Sequence, residues 1–481
     1  MNSIPYNLTN VIEKKLKNEF YYFSNEVISA ITKCLAYPNE HHKYITIISK
    51  IHEEARKLIV KIIADVFEEL DEQFCNSKNR KNLYHINHRN VGRTITTIFG
   101  DVTFKRTYYE CKIDGSHHFV LDEALGLPKY DRYDPSVKAI AVSTYSKTNM
   151  SIAGQIVGEQ LTDLTKLGTN EAINVIPRQS IYNWIKKWMI PKINFGQKPT
   201  PETLYVMSVE KFIGCQDKEN DIMIKSFVVF EGVEQVSKDR NKLVNKTVIN
   251  LISSQSWIEF SDILFNMYDS QLVKKIYLLS DGANWLKAGI SELKVEPDMD
   301  IKHLLCEFHF RQAINHITTD KDEREILIQS FINDSKNDFK KLVEEIKNKN
   351  INREETINKK LAYIMNNYNS IKDMLASNIG SSMESHISHY VANQFGSRPK
   401  GYSTQRIGDY IDIHNFKNNN FNIYNLYVNT YDNEEVVTIN EQELNYSIFE
   451  RKNDTNVPIL SNGQHTSTYQ AINNLAHGIS I

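Results

Sequence analysis

The chain opens on a helical rhythm. In ISKIHEEARKLIVKIIADVFEELDEQF, apolar side chains recur at spacings of three and four with no glycine or proline among them, which predicts amphipathic helices over about residues 8–75. Nothing on their polar face singles out chemistry, so residues 1–90 read as a helical region for packing or dimerisation. The period then falls to two. In VGRTITTIFGDVTFKRTYYECKIDGSHHFVLDEALGLP, Thr, Ile, Val, Phe and Tyr alternate with polar residues, predicting a β-hairpin or small sheet over 91–133 with a tight turn at Gly100-Asp101. One face would present Arg93, Lys105 and Arg106 among Tyr108 and Tyr109. Such a mixture suits a phosphate backbone and equally an ordinary solvated strand.

Helical spacing returns over 134–192. IPRQSIYNWIKKWMIP carries a helix-start signal at Pro177, apolar Ile181, Trp184, Ile185 and Trp188 in register, and Lys186 and Lys187 near its end. With the preceding DPSVKAIAVSTYSKTNMSIAGQIVGEQL it could form a helix-turn-helix. Its second helix would offer Arg178, Gln179, Ser180, Tyr182 and Asn183, with Lys186 and Lys187, to a DNA groove; a plain helical hairpin has the same pattern. KINFGQKPTPET reads as a linker.

Beyond it the pattern is that of strands. LYVMSVEKFIGCQ, DIMIKSFVVFEGVEQVS and NKLVNKTVINLIS are β-branched and aromatic runs at hairpin spacing. A helical SWIEFSDILFNMYD, the apolar KKIYLLS, a further helix and IKHLLCEFHF follow. Three antiparallel strands and then alternating helix and strand is the order of an RNase H-like domain, expected over 203–405. There, metal-holding carboxylates lie on the central first strand, at the end of the fourth and on a late helix. The Lys/Glu/Asn-rich stretch 320–375 reads as a helical insertion, and the Asn- and Tyr-rich residues 406–481 as a tail with short β-like runs. The fold class is thus α+β and multidomain, with a helical and small-β front ahead of an α/β domain.

Composition narrows the function classes without choosing one. The 481 residues are 41% hydrophobic and 24% charged, with 18 glycines and 11 prolines, so disorder and collagen-like repeats are excluded and no apolar run is long enough to span a membrane. The start, MNSIPYNLTNVIEKK, lacks a signal-peptide pattern. Five scattered cysteines argue for a reducing compartment, and a cytoplasmic location is expected. The net charge of -2 divides into +6 over residues 1–200 and -8 over the rest, a basic front suited to nucleic acid and a back rich enough in carboxylates for divalent metal.

Asp281 ends a continuous apolar strand and is followed by Gly282 and Asn284. It is either a strand-end site residue or a helix N-cap. Glu384, His386 and His389 crowd together in MESHISHYVANQF, and Cys306 with His309 could in principle join the histidines around zinc, although paired thiols are missing.

Several of these runs carry a family likeness in order and spacing. TTIFGDVTFKRTYYEC, LDEALGLPKYDRYDPSVKAIAV, SIYNWIKKW, YLLSDGANWLKAGI, FHFRQAIN and MESHISHYVANQFGSRPKGYS together resemble the ISLre-type transposases of bacterial insertion sequences, across about residues 90–405. The resemblance implies a DNA-binding front and an RNase H-like domain whose Asp, Asp and Glu hold two divalent cations, Mg²⁺ or Mn²⁺, for cutting and joining double-stranded DNA. It further implies a homo-oligomer on DNA and association with the nucleoid. By motif position the second Asp is Asp281 and the Glu is Glu384, with His309, His386 and His389 near the site. The first Asp is replaced. LYVMSVEKFI sets Val209 where the family has a carboxylate, and Val offers no oxygen ligand. Glu210 is adjacent but alternates to the opposite face. Two expectations follow: a transposase with impaired cutting, or an inactive DNA-binding remnant.

Overall fold

The computed structural model describes residues 9–36, 43–161, 175–215, 222–237, 240–282, 286–377, 379, 403–404 and 406–430. The amphipathic start forms two long helices, α1 (Thr9–Ala36) and α2 (Lys43–Asn76), then a short α3 (Lys78–Leu83) capped by Ser77, whose side chain accepts from Arg80 N. The alternating segment forms an antiparallel sheet of β1 (Tyr84–Thr97), β2 (Gly100–Cys111) and β3 (His117–His118), closed by α4 (Val120–Ala124). Ala64 and Leu70 of α2 pack on Ile95, Val102 and Phe104, with Phe67 edge-on to Phe104 at 5.1 Å. The hairpin turns at Ile98-Phe99, two residues before the expected Gly100-Asp101, and Gly100 enters β2 with φ +117.

The expected basic face of this hairpin is not formed. The register slips between His88 and Val91, where Asn90 has φ 58, so the inward residues of β2 pass from Val102 and Phe104 to Thr107 and Tyr109. Lys105 stays exposed, whereas Tyr109 is fully buried. Arg93 and Arg106 both turn onto the buried carboxylate of Asp122, from α4, with Arg93 Nη1 2.6 Å from Oδ2. Burial, and then the neighbouring Arg93 charge, pulls the Arg106 guanidinium down to about 10.

Three helices follow: α5 (Pro135–Tyr145), started by Asp134 and its N1 proline, α6 (Met150–Leu161) and α7 (Arg178–Lys187). They pack on one another, with Ile181, Trp184 and Ile185 of α7 buried. A helix-turn-helix uses a turn of about three to four residues. The connection of that length joins α5 to α6, at Ser146–Asn149, and residues 162–177 separate α6 from α7.

The three strand runs after the linker yield five strands: β4 (Thr203–Ile213), β5 (Ile222–Phe230), β6 (Gly232–Ser237), β7 (Arg240–Val244) and β8 (Thr247–Leu251). β6 and β7 pair as a separate hairpin. The others join β9 (Lys275–Ser280) and β10 (Asp300–Leu305), which lie on either side of α9 (Leu286–Leu293) and follow α8 (Ser256–Met267). The sheet order is β10-β9-β4-β5-β8, antiparallel from β4 through β5 to β8 and parallel from β4 through β9 to β10. Phe227 on one face stacks on Phe260 of α8 at 4.1 Å, while Met207, Val228, Leu279 and Leu304 cluster together with Met374.

Residues 307–377 form α10 (Glu307–Ile317), α11 (Lys321–Ile332), α12 (Lys336–Lys349), α13 (Glu354–Asn366) and α14 (Tyr368–Ser377). They share one apolar core of Phe310, Ile314, Phe331, Phe339 and Ile371, which also takes in Leu305 at the end of β10. The described part of the tail is helical rather than β-like: α15 (Ile407–Asn418) and α16 (Ile423–Thr430). Its polar residues are used against other elements. Trp188 Nε1 donates to Thr430 Oγ1 at 2.9 Å, and Asn415 and Asn419 complete the sheet.

At that free edge, Asn415 Oδ1 accepts from Asn250 N (2.9 Å) and its Nδ2 donates to Asn250 O (3.0 Å). Asn419 does the same for Val248, at 2.8 and 2.6 Å. Four residues of helix advance ~6 Å and two residues of strand ~6.8 Å, so the spacings match and two side-chain amides act as a further strand. Replacing Asn415 by alanine strips a buried N–H and C=O of their partners at about 1–3 kcal/mol each. The unfolding free energy is expected to fall by roughly 2–4 kcal/mol; a urea transition with the wild-type midpoint would contradict the pairing.

Candidate functional site

The parallel strands β4, β9 and β10 end at one edge of the sheet, where sites of open α/β sheets form. The β4–β9 register runs from Thr203↔Lys275 to Met207↔Leu279. Continued by two residues, it sets Val209 beside Asp281. On the other side β10 is in register through Ser280↔Leu305, and Cys306 N donates to Ser280 O at 2.8 Å. Val209 is partly buried and packs with the apolar cluster of Met207, Leu279, Leu304 and Cys306. The position that the family likeness assigns to a carboxylate is therefore integrated into a hydrophobic layer.

The chain leaves β9 at Gly282, with φ +83, and a Cβ there would lie 2.9 Å from Leu305 Cδ1. Ser280 Oγ accepts from Gly282 N at 3.0 Å and lies 2.9 Å from His303 Nε2. His303 Nδ1 is 3.0 Å from Ser370 Oγ of α14. Tyr363 of α13 donates its hydroxyl to the Asp281 carbonyl at 2.7 Å, and burial, with the charge of Asp281 adding to it, pushes that phenol up to about 12. Ser280, His303, Tyr363 and Ser370 thus brace the strand end. None was singled out by the sequence, since single polar residues on two strands, Ser280 and His303, and on two helices, Tyr363 and Ser370, carry no spacing signal.

Glu210 is partly buried and opposite Lys225 on β5. Burial raises its carboxyl above the ordinary range, Lys225 opposes this, and the Asp281 charge adds to it. It is electrostatically coupled to Asp281 although its strand position alternates with that of Val209. His309 lies in the first turn of α10, just past the end of β10, its ring edge-on to Phe308 at 5.4 Å. Glu384, His386 and His389 lie outside the described residues, as does Asn284.

The described side chains do not make up a two-cation site. Val209 supplies no oxygen, and among the described residues no three His, Cys, Asp or Glu side chains are grouped so as to hold a metal ion. No disulfide joins any of the five cysteines, and among the described residues no helix is long and apolar enough to cross a membrane.

On α7, Arg178, Gln179, Asn183, Lys186 and Lys187 are exposed and Ser180 is partly buried. Gln179 Nε2 donates to Asn183 Oδ1 at 3.1 Å. These residues form a polar stripe opposite Ile181, Trp184 and Ile185, as the helical period requires.

Comparison with known proteins assigns the sequence. The model of an uncharacterised protein family, UPF0236, matches residues 40–423. The chain belongs to that family. UPF0236 protein TTE2489 of Caldanaerobacter subterraneus subsp. tengcongensis is 26% identical over 391 residues, 80% of each chain. A second UPF0236 protein of that organism, named for the four loci TTE0610/TTE0881/TTE1053/TTE2432, is also 26% identical, over 80% of this chain and 79% of its own. A third, whose name joins eleven loci, is 25% identical over 75% of this chain and 74% of its own. The crystal structure of NurA aligns at 11% identity over 60% of this chain and 64% of that chain, with a TM-score of 0.11, a level that says nothing about fold or activity.

In this UPF0236 protein the bracing histidine is a measurable feature. Burial holds the His303 imidazole below its ordinary value, against the pull of Asp281. The folded state therefore resists a proton that the unfolded chain accepts near pH ~6.5. Stability is full above that pH and falls as the pH drops through the lower folded value. The difference in unfolding free energy between wild type and His303→Gln is expected to shrink from pH 7.5 to pH 5; a constant difference would show that His303 is not held neutral.

Proposed function

We propose that this UPF0236 chain is a transposase-like protein of the ISLre type, binding element ends in double-stranded DNA, with its cutting and joining of strands impaired by Val209. The observation that carries the reading is the β4–β9 register, paired from Thr203↔Lys275 to Met207↔Leu279, which continued by two residues aligns Val209 with Asp281, the positions where the ISLre likeness has carboxylates. The sheet order supports the RNase H-like part, since a central first strand has its antiparallel partners on one side and its parallel partners on the other. Relatives whose single names join four and eleven loci of one genome fit an element that copies itself. The exposed stripe of α7 supplies cations and amides of the kind that contact phosphates and base edges.

Mg²⁺ or Mn²⁺ is the cation that a complete site of this type takes, and Val209→Asp restores the missing oxygen donor. Cleavage of element-end DNA with either cation in the buffer is expected to rise by about 10²–10³-fold in Val209→Asp, the scale on which one charge-stabilising group acts. The gain should vanish on adding Asp281→Ala. Robust cutting by wild type, indifferent to Asp281→Ala, would sink the site. A second reading, an inactive DNA-binding remnant, rests on the same valine and predicts no cutting by wild type or by Val209→Asp.

DNA binding is common to both readings. Replacing Arg178, Lys186 and Lys187 together by alanine is expected to make the log–log dependence of affinity on salt shallower by up to about 2.7, at ~0.9 per phosphate contact. An unchanged slope would remove α7 from the interface.

A further inference from the structure

The two arginines that turn away from the hairpin surface line a cavity of about 220 Å³, together with Thr94, Tyr130, Asp131 and Arg132. Its electrostatics are unbalanced. Three arginines, Arg93, Arg106 and Arg132, line it with one carboxylate, Asp131, while Asp122 and Asp71 act on Arg106 from behind. Asp131 is engaged by Lys138, whose side chain is 2% exposed, and Asp122 is shared by Arg93 and Arg106. The shape of the cavity is built in. Arg93 Nη2 donates to the carbonyls of Pro128 (2.9 Å) and Asp131 (3.2 Å), and the Arg106 guanidinium lies 3.6 Å over the Phe119 ring. Buried Arg106 Nε has no hydrogen-bond partner among the described residues. A buried guanidinium N–H without an acceptor is costly, and the exposed Arg132 offers a guanidinium that an incoming anion can reach.

We infer that this cavity is a phosphate-binding pocket, and that the phosphate it takes belongs to a nucleic-acid backbone. The rim argues for the source. Tyr130 is 88% exposed, holds the left-handed φ of 65 that a bulky residue rarely adopts, and has Lys129 Nζ 5.3 Å from its ring centroid. A free phosphate has no use for an aromatic ring at the mouth, whereas a nucleotide chain brings sugars and bases to it. The nucleic-acid source rests on the DNA-binding function proposed above; the pocket does not.

The test uses the full chain, a fluorescein-labelled duplex and inorganic phosphate. Arg132 and Tyr130 are exposed, so Arg132→Gln and Tyr130→Ala are chosen in preference to the arginines that hold Asp122. Arg132→Gln is expected to lower duplex affinity roughly five- to tenfold at about 0.1 M salt and to make the salt slope shallower by about 0.9. Phosphate should raise the wild-type melting temperature above chloride at matched ionic strength, and Arg132→Gln should reduce that rise. Tyr130→Ala should weaken duplex binding while keeping the phosphate effect. If the α7 triple variant loses DNA but Arg132→Gln and Tyr130→Ala bind as wild type does, the pocket is overturned and the DNA-binding function stands. If wild type binds no duplex but shows the phosphate effect, the nucleic-acid source is overturned and the pocket stands. Absence of a phosphate effect together with unchanged affinity in both variants overturns the inference entirely.

Discussion

The parallel pairing of β4 with β9 is the constraint on which the five-stranded sheet and the candidate site at its end depend. Both strands are largely buried, so their register cannot slip by one residue without turning an apolar layer outward. A fixed register also fixes which side chains meet where the strands end. Met207 and Leu279 are brought level by the same bonds that build the core, and Val209 and Asp281 follow two residues on along each strand. The pleat then makes substitution by a neighbour difficult, because Glu210, one residue further on, belongs to the alternate side. The Asp281 charge adds to the raised carboxyl of Glu210, but coupling through space is not the same as presenting an oxygen at the right point.

Much of this was legible in the sequence where a single period ran uninterrupted. The strand order around Asp281, the amphipathic α7 and the long opening helices all follow from patterns that tertiary contacts reinforce. Legibility stopped where a contact from afar overrode the local pattern. Arg93 and Arg106 look like surface residues of an alternating strand until Asp122, far along the chain, draws them in, and a bulge near Asn90 changes the phase. The aromatic and Asn-rich run after 406 looks like strand or loop, yet its described part, to Thr430, forms helices whose asparagines face a sheet edge and whose aromatic residues meet Tyr145 and Trp188. Of the candidate site, Asp281 and Val209 are named from motif order, whereas the bracing shell leaves no mark in the sequence.

That shell shows how α10 to α14 relate to the sheet. A charged, Lys- and Glu-rich stretch reads as an addition to a domain, but its inward residues form the wall behind β10. Tyr363 and Ser370 fasten two points of the strand end, one through a backbone carbonyl and one through His303. Placing a site on rigid elements and supporting it from a second layer is what holds catalytic groups in position. Here the support surrounds a strand end beside which Val209 packs into an apolar cluster.

The asparagine pairs along β8 carry a consequence for synthesis. Val248 and its partner Asn419 are 171 residues apart, so a ribosome working at ~5–20 residues per second leaves roughly 10–30 s between making the strand and making its cover. Throughout that interval the outermost strand of the nascent sheet presents unpaired backbone groups, the template on which other chains add. The newborn protein must be shielded by its surroundings until its own late helix arrives, and production that outruns such shielding would be lost to aggregation.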